Sequence, residues 1–565
     1  MKILVLSLLR IGDIVLSAPA LRGLREKYPE AEIHLLINKQ FAGIAPLLPY
    51  IDRVLHFDRA GVQKGLGEAT IPFFDSYERL TELIDELNHE GYDSVVNLTH
   101  SRLSGWLMSL IDAPEKLGLS FDVSGRPTFG SNWFRYLNNQ VEAESDEVFH
   151  FTDVFRFALG LEDEVHLPAL IETEHGRAEA ETALADMGSP LNVIAVQALT
   201  SDSKKDWGFE NFRRALGEFA RAQPEARIAI VGAPFERERL QPLVDFLRDD
   251  GVKAHLAILS FEGAFSFLKR SRLLLTGDTS IMHLASASKT PIIEISIGSS
   301  DYHRTGAYLS GAVIVQSREI CAPCSHSKSC HRASHACAER VPADAIAMVL
   351  AEIYEGRSFQ LRAIAEEFKD EIEILRVQSR NSGFWAAYSV LEPFTEEAIA
   401  HWIDLTSRKL WLACAREPAL EPAMRGTEIR RLAQFLLDVH PSISNIEWKH
   451  LLADFERQLM SVEGRMNGFR LGLRALHTGY EDPRVLKDYV RGLIAFREKM
   501  RLFAVLRSYR GSLDQIIEDD ISPAFVRLRR IVDGIGEIDR RTRITLALVR
   551  GLSERLSRAK EIESL

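Results

Sequence analysis

The side chains best placed to do chemistry lie in a few short stretches. The first is Leu8-Leu9-Arg10-Ile11-Gly12-Asp13-Ile14-Val15-Leu16-Ser17-Ala18-Pro19, which follows the apolar run Ile3-Leu4-Val5-Leu6. That run has the character of a buried strand, and the segment after it opens a helix. Gly12 and Asp13 therefore fall at the carboxyl end of a first strand, where open α/β sheets bind ligands. A carboxylate there, after a glycine that permits a tight turn, is placed to act as a general base. The second stretch, Val193-Ile-Ala-Val-Gln-Ala-Leu-Thr200-Ser201-Asp-Ser-Lys204-Lys205-Asp206-Trp207, runs from a strand end through hydroxyls to paired lysines. The third, Leu273-Leu-Leu-Thr276-Gly277-Asp278-Thr279-Ser280-Ile-Met-His283-Leu284-Ala285, is a strand followed by a helix start. Helix amino termini carry free N–H groups and a partial positive charge, which suits an anion. Taken singly, Asp13 serves equally as a helix cap, the lysines as a solvated pair and His283 as a core histidine.

Cysteine is the other concentrated chemistry. Of five cysteines, four fall within 321–337, as Cys321-x2-Cys324-x5-Cys330-x6-Cys337, with His326, His331 and His335 between or beside them. Four thiols in a short loop-rich segment fit a tetrahedral metal site, and sulfur ligation suits zinc or iron. Two disulfides are the competing reading, disfavoured in a reducing compartment. Cys414 falls in the apolar helical run Leu410-Trp-Leu-Ala-Cys414 and reads as core.

The elements that must position these groups alternate along the chain. Strands are expected at Ile3–Leu8, Glu32–Ile37, Arg53–Phe57 and Ser94–Leu98, with helices at Ala20–Lys27, Tyr77–Glu90 and Thr152–Ala158. Pro19 implies either a helix starting near Ser17 as N-cap or one that kinks. A second series of strands is expected at Val193–Val196, Arg227–Val231, His255–Leu259, Leu273–Thr276 and Ile292–Ile295. Strands alternating with helices imply βαβ units and parallel sheets. The expected domains are an α/β lobe over 1–165, a second over 190–355 and a helical domain of about six to nine helices over 356–565. At 565 residues the chain exceeds one core, so several domains are required. Its net charge of -11 argues against a nucleic-acid partner. No apolar run reaches the roughly 20 residues of a membrane span, and the amino terminus lacks a signal-peptide pattern. The expected location is cytoplasmic, working at the inner membrane face. The Arg-rich tail reads as solvated helix faces; a docking surface for a protein or membrane, or a homo-oligomer contact, is its functional alternative.

These motifs, in this order, resemble those of glycosyltransferase family 9, the heptosyltransferase family. The matching residues are Arg10-Ile-Gly-Asp13-Ile-Val-Leu-Ser-Ala-Pro19, then Thr200, Ser201 and Lys205-x-Trp207, then Asp278-Thr279-Ser280-x-x-His283-Leu-Ala285. Val231-Gly-Ala-Pro-Phe-Glu236 is similar to the family's glycine turn, and Asn97-Leu-Thr-His100-Ser101 should also face the cleft. The resemblance implies the GT-B arrangement of two Rossmann-like lobes facing a cleft. It implies inverting transfer of heptose from ADP-heptose to a lipopolysaccharide core sugar or a protein hydroxyl. By the same resemblance Asp13 is the base, and Thr200, Ser201 and Lys205 hold the donor phosphates. Asp278 binds near the ribose or phosphates, Thr279 and Ser280 approach the phosphates, and His283 matches the family's histidine. A serine at 280 replaces the family's usual glycine and restricts close approach. A lysine at a departing diphosphate stabilises the transition state more than the ground state, so no catalytic metal is implied. A subset of the family that modifies autotransporter proteins carries a four-cysteine iron site after the second lobe, similar in position to 321–337. The rival readings are a nucleotide-sugar-binding scaffold without catalysis and a metal-stapled interaction protein.

Overall fold

The computed structural model describes residues 1–62, 73–142, 149–161, 170–325, 329–332, 334, 335–378, 385–391, 396–414, 421–439, 450–460, 462–463 and 540–556. It divides into two compact units, one of Met1–Arg380 with Phe384–Leu391 and one of Asn381–Gly383 with Glu392–Leu565.

The first unit holds two α/β lobes. In the first, β1 (Lys2–Ser7), β2 (Glu32–Asn38), β3 (Arg53–Phe57), β4 (Ser94–Asn97) and β5 (Glu115–Gly118) form a sheet of order β3-β2-β1-β4-β5. All its pairings are parallel. β1 is central, and Ile3 to Leu6 are buried, as strands covered on both faces by crossover helices must be. A hairpin of β6 (Ser120–Phe121) and β7 (Pro127–Thr128) follows β5. The helix after β1 spans Ile11–Lys27 and carries Pro19 within it, so it starts before Ser17 rather than at it. Ser17 instead donates its hydroxyl to the Ile14 carbonyl at 2.8 Å.

The second lobe is built on β8 (Val193–Gln197), β9 (Arg227–Gly232), β10 (Ala254–Ile258), β11 (Leu273–Thr276), β12 (Ile292–Ser296), β13 (Val313–Ser317), β14 (Ile372–Gln378) and β15 (Ala386–Ser389). Their order is β10-β9-β8-β11-β12-β13-β14-β15. β8 to β13 are parallel, whereas β14 and β15 join antiparallel. This corrects the boundary expected at 355. The helix Leu361–Glu367 buries Leu361, Ile364 and Ala365 in the core of this lobe, and β14 and β15 extend its sheet, so the lobe runs to Leu391.

The helix Phe151–Ala158 packs on Ile11–Lys27 and reaches across to the second lobe. Its fully buried Asp153 accepts the Tyr308 hydroxyl and the Trp385 amide, each at 2.6 Å, and pairs with buried Arg156 at 3.2 Å. His150, capping that helix, lies 3.0 Å from the Gly306 carbonyl through Nε2. The lobes are thus clasped by a fully buried polar knot.

The second unit is helical wherever it is described, with Glu396–Cys414, Glu421–Val439, 450–460 and 540–556 as its helices. Trp402, Ile403, Leu436, Phe455 and Leu548 are buried there, around a buried Lys409–Glu428 ion pair at 2.9 Å. Much of the segment expected to supply further helices, 464–539, lies outside the described residues, as do the surroundings of the Cys414 side chain. Among the described residues no helix is long and apolar enough to cross a membrane.

Removing Asp153 would leave the Arg156 guanidinium buried without its carboxylate. Asp153→Ala should lower the unfolding free energy by about 3–5 kcal/mol, measured by urea denaturation of the full chain.

Candidate active site

Asp13 is placed by the end of β1. Leu8, the first residue beyond that strand, donates its amide to Thr99 Oγ1 at 2.7 Å and accepts Asn38 Nδ2 at 2.6 Å. Both neighbouring strands therefore hold the point from which the chain turns into the helix. Asp13 lies in the first turn, and its Oδ2 accepts the Arg10 amide at 3.1 Å, so it caps the helix while standing half-buried at the cleft. Gly12 is needed for contact across the cleft. A Cβ at this position would come within 3.0 Å of His283 Cδ2 and 3.3 Å of Nε2.

On the facing lobe, Lys205 and Asp278 form a buried pair, with Lys205 Nζ 3.1 Å from Asp278 Oδ2 and 3.0 Å from its main-chain oxygen. Thr305 Oγ1 lies 3.4 Å from the same Oδ2, and His283 Nε2 is 4.0 Å from Oδ1. Thr279 caps the helix Ser280–Ser288 by accepting the Met282 amide, leaving the first-turn amides directed toward the cleft. Asp13, Lys205, Asp278 and His283 thus share one site.

The sequence left two lysines open, and their directions now separate them. Lys204 turns away, donating to the Ser325 carbonyl at 2.9 Å, while Lys205 turns in. Thr200 places its hydroxyl 2.8 Å from Asp206 Oδ1 and 2.7 Å from the Asp202 carbonyl, and its amide also donates to Asp206. Its one hydroxyl proton is spent bracing the loop. Ser201 is exposed, and Thr279 and Ser280 are half-buried at the helix start. Glu236 folds back to accept the Ala233 amide at 2.8 Å.

Burial sets the proton affinities here. It raises the Asp13 carboxyl from its ordinary value to about 6, against the Arg10 amide and charge, with Asp278 adding to the rise and Lys205 opposing it. Burial lowers His283 to about 4, so its imidazole is neutral near pH 7. His100 is also lowered to about 4, by burial and then by Arg304 of the second lobe. His283 Nδ1 is buried and makes no hydrogen bond among the described residues.

Glu294 was not anticipated, although a lone carboxylate inside the apolar strand Pro291-Ile-Ile-Glu294-Ile-Ser-Ile297 is itself a signal of a buried acid. It sits on β12 opposite Thr276 and accepts the Ala307 amide at 2.9 Å. Its other oxygen has no partner among the described residues, and burial first, then Asp278, raises it to about 8.

The cysteine segment follows β13. All four of its thiols are free; Cys337 is buried, Cys321 and Cys324 are half-buried, and Cys330 is exposed. Burial raises the Cys324 and Cys337 thiols, and neighbouring thiols push the same way: Cys321 and Cys330 on Cys324, Cys321 and Cys324 on Cys337. Among the described residues, however, no three His, Cys, Asp or Glu side chains converge closely enough to hold a metal ion. His326 lies outside the described residues, and His335 donates through Nε2 to the Lys204 carbonyl at 2.8 Å.

Comparison with known proteins gives this geometry a context. Residues 80–334 match the sequence profile of glycosyltransferase family 9 (heptosyltransferase). The chain is 26% identical to lipopolysaccharide heptosyltransferase 1 of Pseudomonas aeruginosa over 324 residues, covering 57% of this chain and 86% of that protein. It is 23% identical to lipopolysaccharide heptosyltransferase 1 of Escherichia coli K12 over 310 residues, covering 54% of this chain and 91% of that one. In fold it is similar to the crystal structure of a family 9 glycosyl transferase from Veillonella parvula, with a TM-score of 0.50 and 19% identity, covering 63% of this chain and 97% of that chain.

Glu294 yields a test of the site's electrostatics. Its carboxyl is raised from 4.5 to about 8 in the folded chain, so the folded state holds a proton that the unfolded state releases. The stability this contributes is complete below 4.5 and is lost as pH rises through about 8. Glu294→Gln should flatten that decline, read from urea midpoints at about pH 6 and about pH 9.

Proposed function

We propose that this chain, a glycosyltransferase with a family 9 domain, is an inverting enzyme that transfers heptose from ADP-heptose to a lipopolysaccharide core sugar or a protein hydroxyl. The observation that carries this reading is the contact between the turn that carries Asp13, on one lobe, and His283 of the other, beside the buried Lys205–Asp278 pair.

Inversion requires the attacking oxygen and the leaving group on opposite faces of the sugar. Asp13 accepts the proton of the acceptor hydroxyl from the first lobe. On the second lobe, Lys205 and the first-turn amides of Ser280–Ser288 meet the diphosphate, whose charge grows as the glycosidic bond breaks. Lys205 is held in place by Asp278, and Ser201 offers the free hydroxyl of the loop. The Thr200 side chain braces that loop through Asp206. His283, neutral near pH 7, supports Asp278 without adding charge.

The cysteine segment we assign to a structural metal, zinc or iron, held by Cys321, Cys324, Cys330 and Cys337. Support comes from the donor set: four free cysteines within 321–337 and no disulfide among the described residues. Such a metal closes a loop by tetrahedral sulfur ligation and takes no part in transfer.

Incubation with ADP-heptose and candidate acceptors, with ADP release as the readout, tests the donor. Mass spectrometry of surface glycans and proteins in a strain lacking the gene identifies the acceptor. Asp13→Asn keeps an oxygen able to accept the Arg10 amide, so the helix cap survives while the base is lost. Transfer should fall by a factor of about 100 to 10,000 with unchanged thermal unfolding. In the native enzyme kcat/KM should fall as pH drops through about 6, where Asp13 takes up its proton. Elemental analysis of the purified protein should find zinc or iron in stoichiometric amount, lost in Cys324→Ser and Cys337→Ser.

A further inference from the structure

The cysteine segment and the donor loop share one peptide group. Lys205 enters the site from a short turn, Ser203–Lys205, capped by Asp202, whose Oδ1 accepts the Lys204 amide and whose carbonyl accepts the Lys205 amide. The carbonyl of Lys204 belongs to the peptide that carries the Lys205 nitrogen. His335 Nε2, from the cysteine segment, lies 2.8 Å from that carbonyl. The side chain of Lys204 donates to Ser325, also of the cysteine segment.

Gly298 completes the joint. It adopts φ +62°, and a Cβ there would lie 1.8 Å from the same Lys204 carbonyl oxygen, so only glycine fits. The main chain of Gly298 is engaged by the cysteine segment: its carbonyl accepts the Cys324 amide at 2.7 Å. The next residue, Ser299, donates its hydroxyl to Asp202 Oδ2 at 2.8 Å. The peptide behind Lys205 is thus held between Gly298 and His335, and both are fastened to the cysteine segment.

We propose that His335 and Gly298 are positioning residues for Lys205, so that the cysteine segment sets the affinity for the donor's diphosphate while lying outside the catalytic cleft. This rests on the reading of Lys205 as the phosphate-binding cation. A lysine reaches its ligand through a flexible stem, and its binding strength depends on how firmly the main chain fixes the stem's origin. Loosening the Lys204 carbonyl releases the turn and lets the ammonium sample positions off the phosphates.

The test uses the full chain as purified, with ADP as the probe, calorimetry for affinity and hydrogen exchange for the amides of 203–206. Lys205→Met serves as reference and should weaken ADP binding by about 10- to 100-fold. His335→Ala should weaken it by about 3- to 10-fold and speed exchange of those amides, with thermal unfolding unchanged. His335→Gln, which retains a side-chain N–H, should restore most of the loss. If Lys205→Met binds ADP like the native protein, the donor-site reading fails. If Lys205→Met loses affinity while His335→Ala keeps native affinity and native exchange, the positioning inference is overturned and the donor-site reading stands. Should His335→Ala fail to fold, Lys204→Met decides, because it removes the side-chain contacts to Ser325 and to Asp202 Oδ2 while keeping the Lys204 carbonyl. A weaker loss in the same direction supports the inference, and native affinity with native exchange overturns it.

Discussion

The Lys205–Asp278 pair, buried on one lobe and facing a carboxylate on the other, is the interaction around which the first unit is organised. Burying two charges is costly, and the cost is offset only when each finds several partners in good geometry. Asp278 offers Lys205 both its carboxylate and its main-chain oxygen, and Thr305 and His283 surround the carboxylate. The proton affinity of Asp13 is set first by burial and Arg10, and both members of the pair contribute to it from the opposite lobe. Such tuning requires a fixed spacing between lobes. The glycine at 12, which lets the first helix touch His283, and the buried knot of Asp153, Tyr308 and Trp385 both serve that spacing.

Much of the fold is legible in the sequence because the central strands of a parallel sheet are apolar on both faces. β1 to β4 and β8 to β12 all stand within a residue or two of where those runs place them. The strands that escaped notice lack that signature. β5 is Glu-Lys-Leu-Gly, half of it charged, and β14 alternates apolar and polar residues because it lies toward the sheet's edge. β13, Val-Ile-Val-Gln-Ser, carries a plain strand signal in its apolar, β-branched run. The first helix starts at Ile11 without a Ser, Thr, Asp or Asn at its cap, because Asp13 reaches back to the Arg10 amide and supplies the capping from inside.

The site residues divide along the same physical line. Asp13, Asp278 and His283 are fixed by ordered motifs at strand ends, and the structure brings them together. Lys204 and Lys205 are neighbours on a tight turn, and which one enters the site depends on the direction of one side chain, a fact no spacing encodes. Thr200 matches its motif yet spends its hydroxyl on Asp206, since a polar group near a binding loop is as readily consumed in shaping the loop. Thr305 and Asp153 depend on contacts across 27 and 232 positions of chain, from Thr305 to Asp278 and from Asp153 to Trp385.

Glu294 makes sense of an otherwise awkward charge count. Asp13, Asp278 and Glu294 gather near the inward-facing Lys205, an arrangement that would disfavour an anion if every carboxyl were ionised. Burial keeps Glu294 protonated near pH 7, which removes one negative charge from beside Asp278. As a neutral acid it still accepts the Ala307 amide and holds the segment that carries Thr305 to Asp278. Asp13, less raised, ionises near pH 6 and is free to take a proton at neutrality. Two carboxyls in one site are thereby held in different protonation states near pH 7 by their surroundings: Asp13 is ionised, while Glu294 keeps its proton and holds the Ala307 amide.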